Sequence, residues 1–473
     1  MTHYGKLYID GAWVEPSSSD TGELVNPATE EVFATVGRGN EHDVDKAVAA
    51  ARRALESFST TSVEDRIALI DRIIDAYEAR SDEFAEVIAR EVGVPVSFKA
   101  QVSGPVGHMK VARDLLKTYP FETRVGDTIV RRESIGVCAL IAPWNWPIQT
   151  MAIKLIYAIA AGCTSVMKPA EASPISSIML AEVVHEAGVP PGVVNLILGK
   201  GSVVGDAMSR HPDVDFVSFT GSTRAGALVG EVAARTIKRV CLELGGKSAN
   251  VVLPDADLEK AARWNIQRGF SNTGQSCHAP TRMIVHESQL DEILPFLKDE
   301  ASRFVLGDPL HGATTMGPAV NKAQYESIQH YIQTGLDEGA ELAHGGLGRP
   351  ADINRGFFVQ PTIFTGVTPE MTIFKEEIFG PVLAVVTYND EEEAINLAND
   401  SIFGLGGYVF SSDPRKGRAV ANRLRAGRIS YNGAATNSIS PMGGYKQSGI
   451  GRSMGIFGLE EYLEVKSEYG FEA

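Results

Sequence analysis

ESIGVCALIAPWNWPIQTMAIKLIYAIAAGCTSVMKPAEASP, residues 133–174, is the stretch on which the fold turns. The apolar run Ile135 to Ala142 predicts a strand, Gln149 to Ala161 is apolar on nearly every side as an interior helix is, and Thr164 to Met167 predicts a second strand. Ser173-Pro174 reads as the N-cap and first-turn proline of another helix. The alternation continues through strands at Val193 to Leu198, Phe216 to Phe219 and Val240 to Leu242. Near-continuous apolar strands separated by helices predict a parallel sheet covered on both faces, a nucleotide-binding class of fold.

Upstream, short strands at Leu7 to Ile9, Trp13 to Val14 and Val32 to Val36 alternate with turn clusters at Asp10-Gly11 and Asp20-Thr21-Gly22. From Glu41 the spacing of Val44, Ala47, Val48, Ala51 and Leu55 predicts a helix, and Ile67, Ile70, Ile74 and Tyr77 mark a second. Downstream, a second α/β set has strands at Ala249 to Leu253, Arg282 to Val285 and Val382 to Val386, with helices near 288–304, 322–337, 391–398 and 415–426. Two α/β lobes make the cleft between them the expected working site. The tail from Leu459 to Phe471 reads as an extended strand of the kind that pairs with another subunit.

Composition narrows the function. The 473 residues hold 44 Lys plus Arg against 59 Asp plus Glu, a formal net charge of −15, which argues against a nucleic-acid binder. The most apolar segment, Val137 to Met167, is broken by Pro143, Asn145, Pro147 and Lys154, so buried core is expected there and no membrane span. No secretory signal opens the chain, and Cys138, Cys163, Cys241 and Cys277 are too few and too scattered for a disulfide framework or a zinc site. The expectation is a cytoplasmic protein without a metal.

Three of those cysteines sit in apolar runs, as structural thiols do, whereas Cys277 lies in the polar loop SNTGQSCHAP, residues 271–280. An ordinary thiol is mostly protonated at neutral pH, so a nucleophilic Cys277 needs help. A protease-like dyad with His278 is disfavoured because sequence neighbours rarely point at one another. Glu243, in CLELGGKSA (241–249), is either an exposed strand-end carboxylate or a general base at the carboxyl edge of a parallel sheet. Asn145, in PWNWP (143–147), is either a turn residue or a fixed amide donor for an oxyanion. Lys168 and Glu171 form either a solvated pair or a ribose site, and FTGSTRAG (219–226) either a capped turn or a phosphate cradle. The glycine fingerprint of an ordinary dinucleotide fold is absent: Gly199, Gly201 and Gly205 follow the third strand with an extra residue.

Taken together, IDGAWV, NPATEE, PWNWP, KPAE, FTGSTRAG, ELGGK, GQSC, EEIFGP (376–381) and PMGGYKQSGIGR (441–452) resemble the aldehyde dehydrogenase superfamily over almost the whole chain. The resemblance implies a Rossmann-like dinucleotide-binding domain of residues 1–115 and 135–245, a second α/β catalytic domain of 246–445, and a small β oligomerisation arm of 116–134 and 446–473. It implies Cys277 as nucleophile, Asn145 with the Cys277 N–H as oxyanion donors, and Glu243 as the base that activates water. It assigns Lys168 and Glu171 to the adenosine ribose, Ser222 to the pyrophosphate, and Glu377 and Phe379 to the nicotinamide ribose and ring, with Trp144 and Gln324 as further cofactor contacts. Lys154, nine positions after Asn145, is an expected support for the Asn145 loop.

The implied cofactor is NAD, with NADP possible, and Glu171 opposes a 2′-phosphate. The implied partners are a small aldehyde and further copies of the chain, as homodimer or homotetramer. Glu243 speaks against a CoA-acylating branch, and the intact Cys277, Glu243 and Asn145 against a non-catalytic relative. One departure stands out: Ser453 follows Arg452 where the family usually has Glu. By position, Trp146, Gln149, Ile153, Ser276, His278 and the loop Thr436 to Ser440 line the aldehyde tunnel.

Overall fold

In the computed structural model, which describes residues 2–470, the 133–174 stretch forms strand Val137–Ile141, helix Pro147–Ala160 and strand Thr164–Lys168. Every residue of both strands is buried, and the helix between them is buried almost throughout, which is why its sequence lacks a polar face. The sheet they belong to has eight strands in the order Gly449–Ile450, Arg239–Glu243, Phe216–Thr220, Val137–Ile141, Thr164–Lys168, Val194–Leu196, Leu7–Ile9, Ala12–Val14. Its five inner strands are parallel and both edges antiparallel. Helices Pro147–Ala160 and Ile175–Glu186 pack on this sheet together, while Glu41–Phe58, Asp206–Arg210 and Thr223–Ala234 touch one another and form the other layer.

The second sheet has seven strands, ordered Glu341–His344, Thr362–Thr365, Val382–Tyr388, Arg282–His286, Ala249–Val252, Gly406–Phe410, Arg428–Tyr431, and only its first pair is antiparallel. Alternation along Arg282–His286 sends Ile284 into one core, with Ile328, Phe364 and Ile373, and Met283 and Val285 into the other, with Ile266, Ile293 and Leu297. A small sheet joins Leu463–Glu468, Thr128–Ser134 and Glu122–Val125, and another joins Thr2–Tyr4, Glu31–Gly37 and Thr21–Asn26. Among the described residues no helix is long and apolar enough to cross a membrane.

Four local expectations need correction. Thr21 and Gly22 open a strand because Gly22 and Leu24 are buried and pair with Glu31–Gly37, a tertiary contact that outweighs turn propensity. Ser173 does not cap helix Ile175–Glu186, and its hydroxyl has no partner; the buried Glu91 carboxylate accepts from the N–H groups of Ile175 and Ser176 instead. The helix expected over 415–426 ends at Ala421, where the chain turns into the edge strand Arg428–Tyr431. The tail is extended only over Leu463–Glu468, because Leu459 belongs to helix Gly455–Glu460 and Phe471 lies outside the described residues. Gly449–Ile450, within the stretch read as the arm, closes the edge of the first sheet by pairing with Leu242 and Glu243.

Candidate active site

Strand order locates the site. From Val137–Ile141 the chain builds outward on one side through Thr164–Lys168 and Val194–Leu196, then returns to the other side with Phe216–Thr220 and Arg239–Glu243. Loops leaving the carboxyl ends of neighbouring strands diverge at such a reversal and open a crevice. Asn145 leaves one of those strands, Ser222 and Glu243 the others, and all three stand at that edge.

Cys277 comes to the crevice from the second lobe. Helix Leu258–Phe270 ends in a turn whose Asn272 and Thr273 both hold left-handed backbone, with φ of 54° and 57°. Side chains hold the turn in place: Asn272 Nδ2 donates to Asn145 O at 2.9 Å, Gln101 Nε2 donates to the same oxygen at 3.0 Å, and Gln275 Oε1 accepts from Val320 N at 2.9 Å. Asn145 Nδ2 donates to Gln275 O at 2.9 Å, leaving its second N–H without a partner among the described residues. The oxyanion candidate and the nucleophile candidate are thus joined by a bond between the lobes. Gly246 permits the approach, since a Cβ there would stand 2.3 Å from Cys277 O.

Burial, with Glu377 and Glu243 nearby, pushes the Cys277 thiol up to about 12, so sulfur keeps its proton in the free protein. His278, set aside on sequence, lies with Nδ1 3.8 Å from Sγ. Arg268 Nη2 sits 2.6 Å from His278 Nε2, and since arginine only donates, Nε2 accepts. Burial and the nearby arginines push His278 well below its ordinary value, so the ring is neutral and its single proton is on Nδ1, facing sulfur. His278 is therefore a donor toward Sγ, and no protease-like base is present there.

Glu243 is 7% exposed, and burial raises its carboxyl to about 7. Ser453 Oγ donates to Oε1 at 3.0 Å, and Oε2 has no partner among the described residues. Lys154, buried and donating from Nζ to Ser218 Oγ at 2.8 Å, opposes the rise. The neutral and charged forms of Glu243 are therefore both accessible near neutral pH, the condition for moving a proton. Cys277, Glu243 and Asn145 line one cavity of about 410 Å³.

The residues assigned to the cofactor follow the carboxyl ends of the first sheet's strands or, from the second lobe, reach the segment after Glu243 and Trp144. Lys168 ends its strand buried, with Nζ on Pro169 O at 2.9 Å and its ammonium pushed down to about 8 by desolvation. Glu171 is exposed and accepts from Gly201 N at 3.1 Å, with Arg38 Nη2 3.5 Å away. Ser222 caps helix Thr223–Ala234 with free hydroxyl surface at a positive helix end. Glu377 accepts from Gly246 N at 2.9 Å, and a Cβ on Gly245 would stand 2.2 Å from its Oε2. Trp144 and Phe379 meet edge to face at 5.4 Å, and Gln324 Nε2 donates to Phe379 O at 2.9 Å, fixing a residue with φ of 57°. An exposed helix N-terminus, a sparsely partnered buried amine, an exposed carboxylate and a fixed aromatic edge are a donor set that suits a dinucleotide.

The tunnel differs from its expected lining in part. Trp146, Gln149, Ile153, His278 and Thr436, Asn437 and Ser438 line the cavity, but Ser276 does not, because its buried hydroxyl accepts from Trp146 Nε1 at 3.0 Å. Sequence reasoning missed His108, Arg268 and Arg428, which carry no motif and reach the cavity only through packing. Ser453 was visible as a departure from a pattern, and only its position reveals the contact with Glu243.

A sequence model of the aldehyde dehydrogenase family matches residues 13–467. A 3-succinoylsemialdehyde-pyridine dehydrogenase from a Pseudomonas species is 49% identical over 475 residues, covering 100% of both chains. The crystal structure of a cysteine-to-alanine variant of Aldehyde Dehydrogenase C from Pseudomonas syringae, with NAD+ and octanal, aligns with a TM-score of 0.98 at 49% identity over 99% of this chain and 97% of that one. An NAD+ complex of an aldehyde dehydrogenase from Bacillus cereus aligns at 0.95, with 40% identity over 98% of this chain and 96% of that one.

Proposed function

Because the chain belongs to the aldehyde dehydrogenase family and is an NAD-dependent enzyme of aldehyde oxidation, we propose that Cys277, Asn145 and Glu243 carry the reaction at the bottom of the shared cavity. The carrying observation is that these three groups, 132 positions apart at the extremes (277 − 145), line one space. Sγ bonds to the aldehyde carbon as its proton passes to water in the cavity. The carbonyl oxygen becomes an alkoxide facing the second Asn145 N–H and the Cys277 N–H. Bound NAD supplies the acceptor for the hydride that leaves carbon. Cys277 then holds the acyl group as a thioester. Glu243 takes a proton from water, whose oxygen bonds to the acyl carbon as the C–S bond breaks, releasing carboxylic acid and restoring the thiol.

Lys168, Glu171, Ser222, Glu377, Phe379, Trp144 and Gln324 hold NAD along the crevice. The first sheet, 1–115 with 135–245, serves the dinucleotide and 246–445 supplies the nucleophile. The paired strands of 116–134 and 446–473 form an arm for self-association into a dimer or tetramer, with Val125, Val465 and Tyr469 left exposed. Four free cysteines suit a reducing compartment such as the cytoplasm. Octanal and a pyridyl semialdehyde, named for relatives, enter the substrate panel, and NADH absorbance over aliphatic, aromatic, cationic and carboxylated aldehydes tests the activity.

Three expected results follow from the contacts. Asn145→Ala lowers kcat by about 100- to 1000-fold through loss of an oxyanion donor, and stopped-flow NADH traces with unchanged NAD affinity are the check. Glu171→Gln removes a charge that opposes a 2′-phosphate and releases Arg38, so the NADP to NAD ratio of kcat/KM rises by about tenfold; an unchanged ratio removes Glu171 from cofactor choice. Ser453→Ala deletes a hydrogen bond to the charged form of Glu243, so the acid limb of the hydrolysis profile moves upward by about one pH unit. A limb that stays in place or moves down contradicts that contact.

A further inference from the structure

The far end of the tunnel has a charge that the chemistry at Cys277 does not use. In a chain with net charge −15, the cavity that holds Cys277 has a single carboxylate among the described residues, Glu243, beside Lys154 and the guanidinium groups of Arg268 and Arg428. The same two arginines line a second cavity of about 720 Å³ that has no Asp or Glu among the described residues. Cys277 and Glu243 line only the first of the two spaces, so the arginines stand where the two meet.

Neither guanidinium forms an ion pair with a carboxylate among the described residues. Arg268 is committed to His278 Nε2. Arg428 donates from Nη1 to the thioether of Met442 at 3.0 Å, a weak acceptor, and its Nε and Nη2 have no protein acceptor among the described residues. Half-buried like charges side by side are unfavourable, and burial together with Arg268 lowers Arg428.

We propose that the preferred substrates are aldehydes bearing a carboxylate at the end remote from the carbonyl, gripped by Arg428 with Arg268 as the second charge, while the aldehyde carbon meets Cys277. The guanidinium fork matches a carboxylate in a way that a neutral alkyl end cannot exploit. The polar loop Thr436, Asn437 and Ser438 flanks the same end. This rests on the reading of Cys277 as the attacking group; the anion site itself does not.

The test compares pentanal with 5-oxopentanoate, which replace methyl by carboxylate at about the same length, in the NAD-loaded enzyme at low ionic strength. In the wild type kcat/KM for 5-oxopentanoate exceeds that for pentanal by about 10- to 100-fold. Arg428→Gln brings the ratio near one through KM, Arg428→Lys keeps part of it, and added salt erodes it. Equal or better use of pentanal by the wild type, or an undiminished ratio in Arg428→Gln, overturns the proposal. Calorimetric binding of glutarate separates the site from the reaction. If neither aldehyde yields NADH, the activity reading fails while a loss of glutarate affinity of about tenfold or more in Arg428→Gln upholds the anion site, and equal affinity in both proteins overturns it.

Discussion

Alanine in place of Cys277 is expected to abolish NADH formation, a loss of roughly four orders of magnitude or more, since no other thiol among the described residues lines the cavity to form the hemithioacetal. The remaining cysteines are buried at 0%, 1% and 2% exposure for Cys138, Cys163 and Cys241, and none lines the cavity. His278 cannot substitute, because Arg268 holds its Nε2 and its Nδ1 carries a proton. The change removes one sulfur and leaves the lobe-bridging bond from Asn145 to Gln275 O, so NAD binding and thermal stability stay close to wild type. Steady NADH production by the folded variant at the wild-type rate removes Cys277 from the mechanism.

Glu243→Gln separates the two halves of the reaction. The amide keeps the shape of the side chain but cannot take a proton from water, so a burst of about one NADH per active site is followed by turnover slowed by about 100- to 10,000-fold. The acyl group then remains on Cys277, where mass spectrometry of the intact protein finds it. The pH dependence of the wild type tests the same group. Its carboxyl is raised to about 7, so below that pH Glu243 is protonated and the hydrolytic rate falls by about tenfold per unit, whereas above it the rate levels off. A variant that hydrolyses as fast as the wild type, or a profile flat from acid to neutral pH, assigns the proton transfer elsewhere.

The alternation of apolar runs over 133–243 was legible because parallel strands buried on both faces cannot hide their composition, and the strands at Val137–Ile141, Thr164–Lys168 and Phe216–Thr220 lie within a residue or two of where periodicity puts them. Less regular stretches depended on distant partners. Thr21–Asn26 is a strand because Glu31–Gly37 lies beside it, and helix Ile175–Glu186 is capped by Glu91 from far upstream. Local propensity does not contain such contacts.

The site divides in the same way. Residue chemistry and motif order alone marked Cys277, Glu243, Asn145 and the cofactor set, because nucleophile, base and donor must be particular residue types set in short, rigid segments. Only the folded chain decided what surrounds them: the proton on His278 Nδ1, the Ser453 bond to Glu243, and the two arginines in the cavity wall. Charge, burial and hydrogen bonding at a point in space are sums over groups brought there from the whole chain, and a linear string records the groups but not the distances between them.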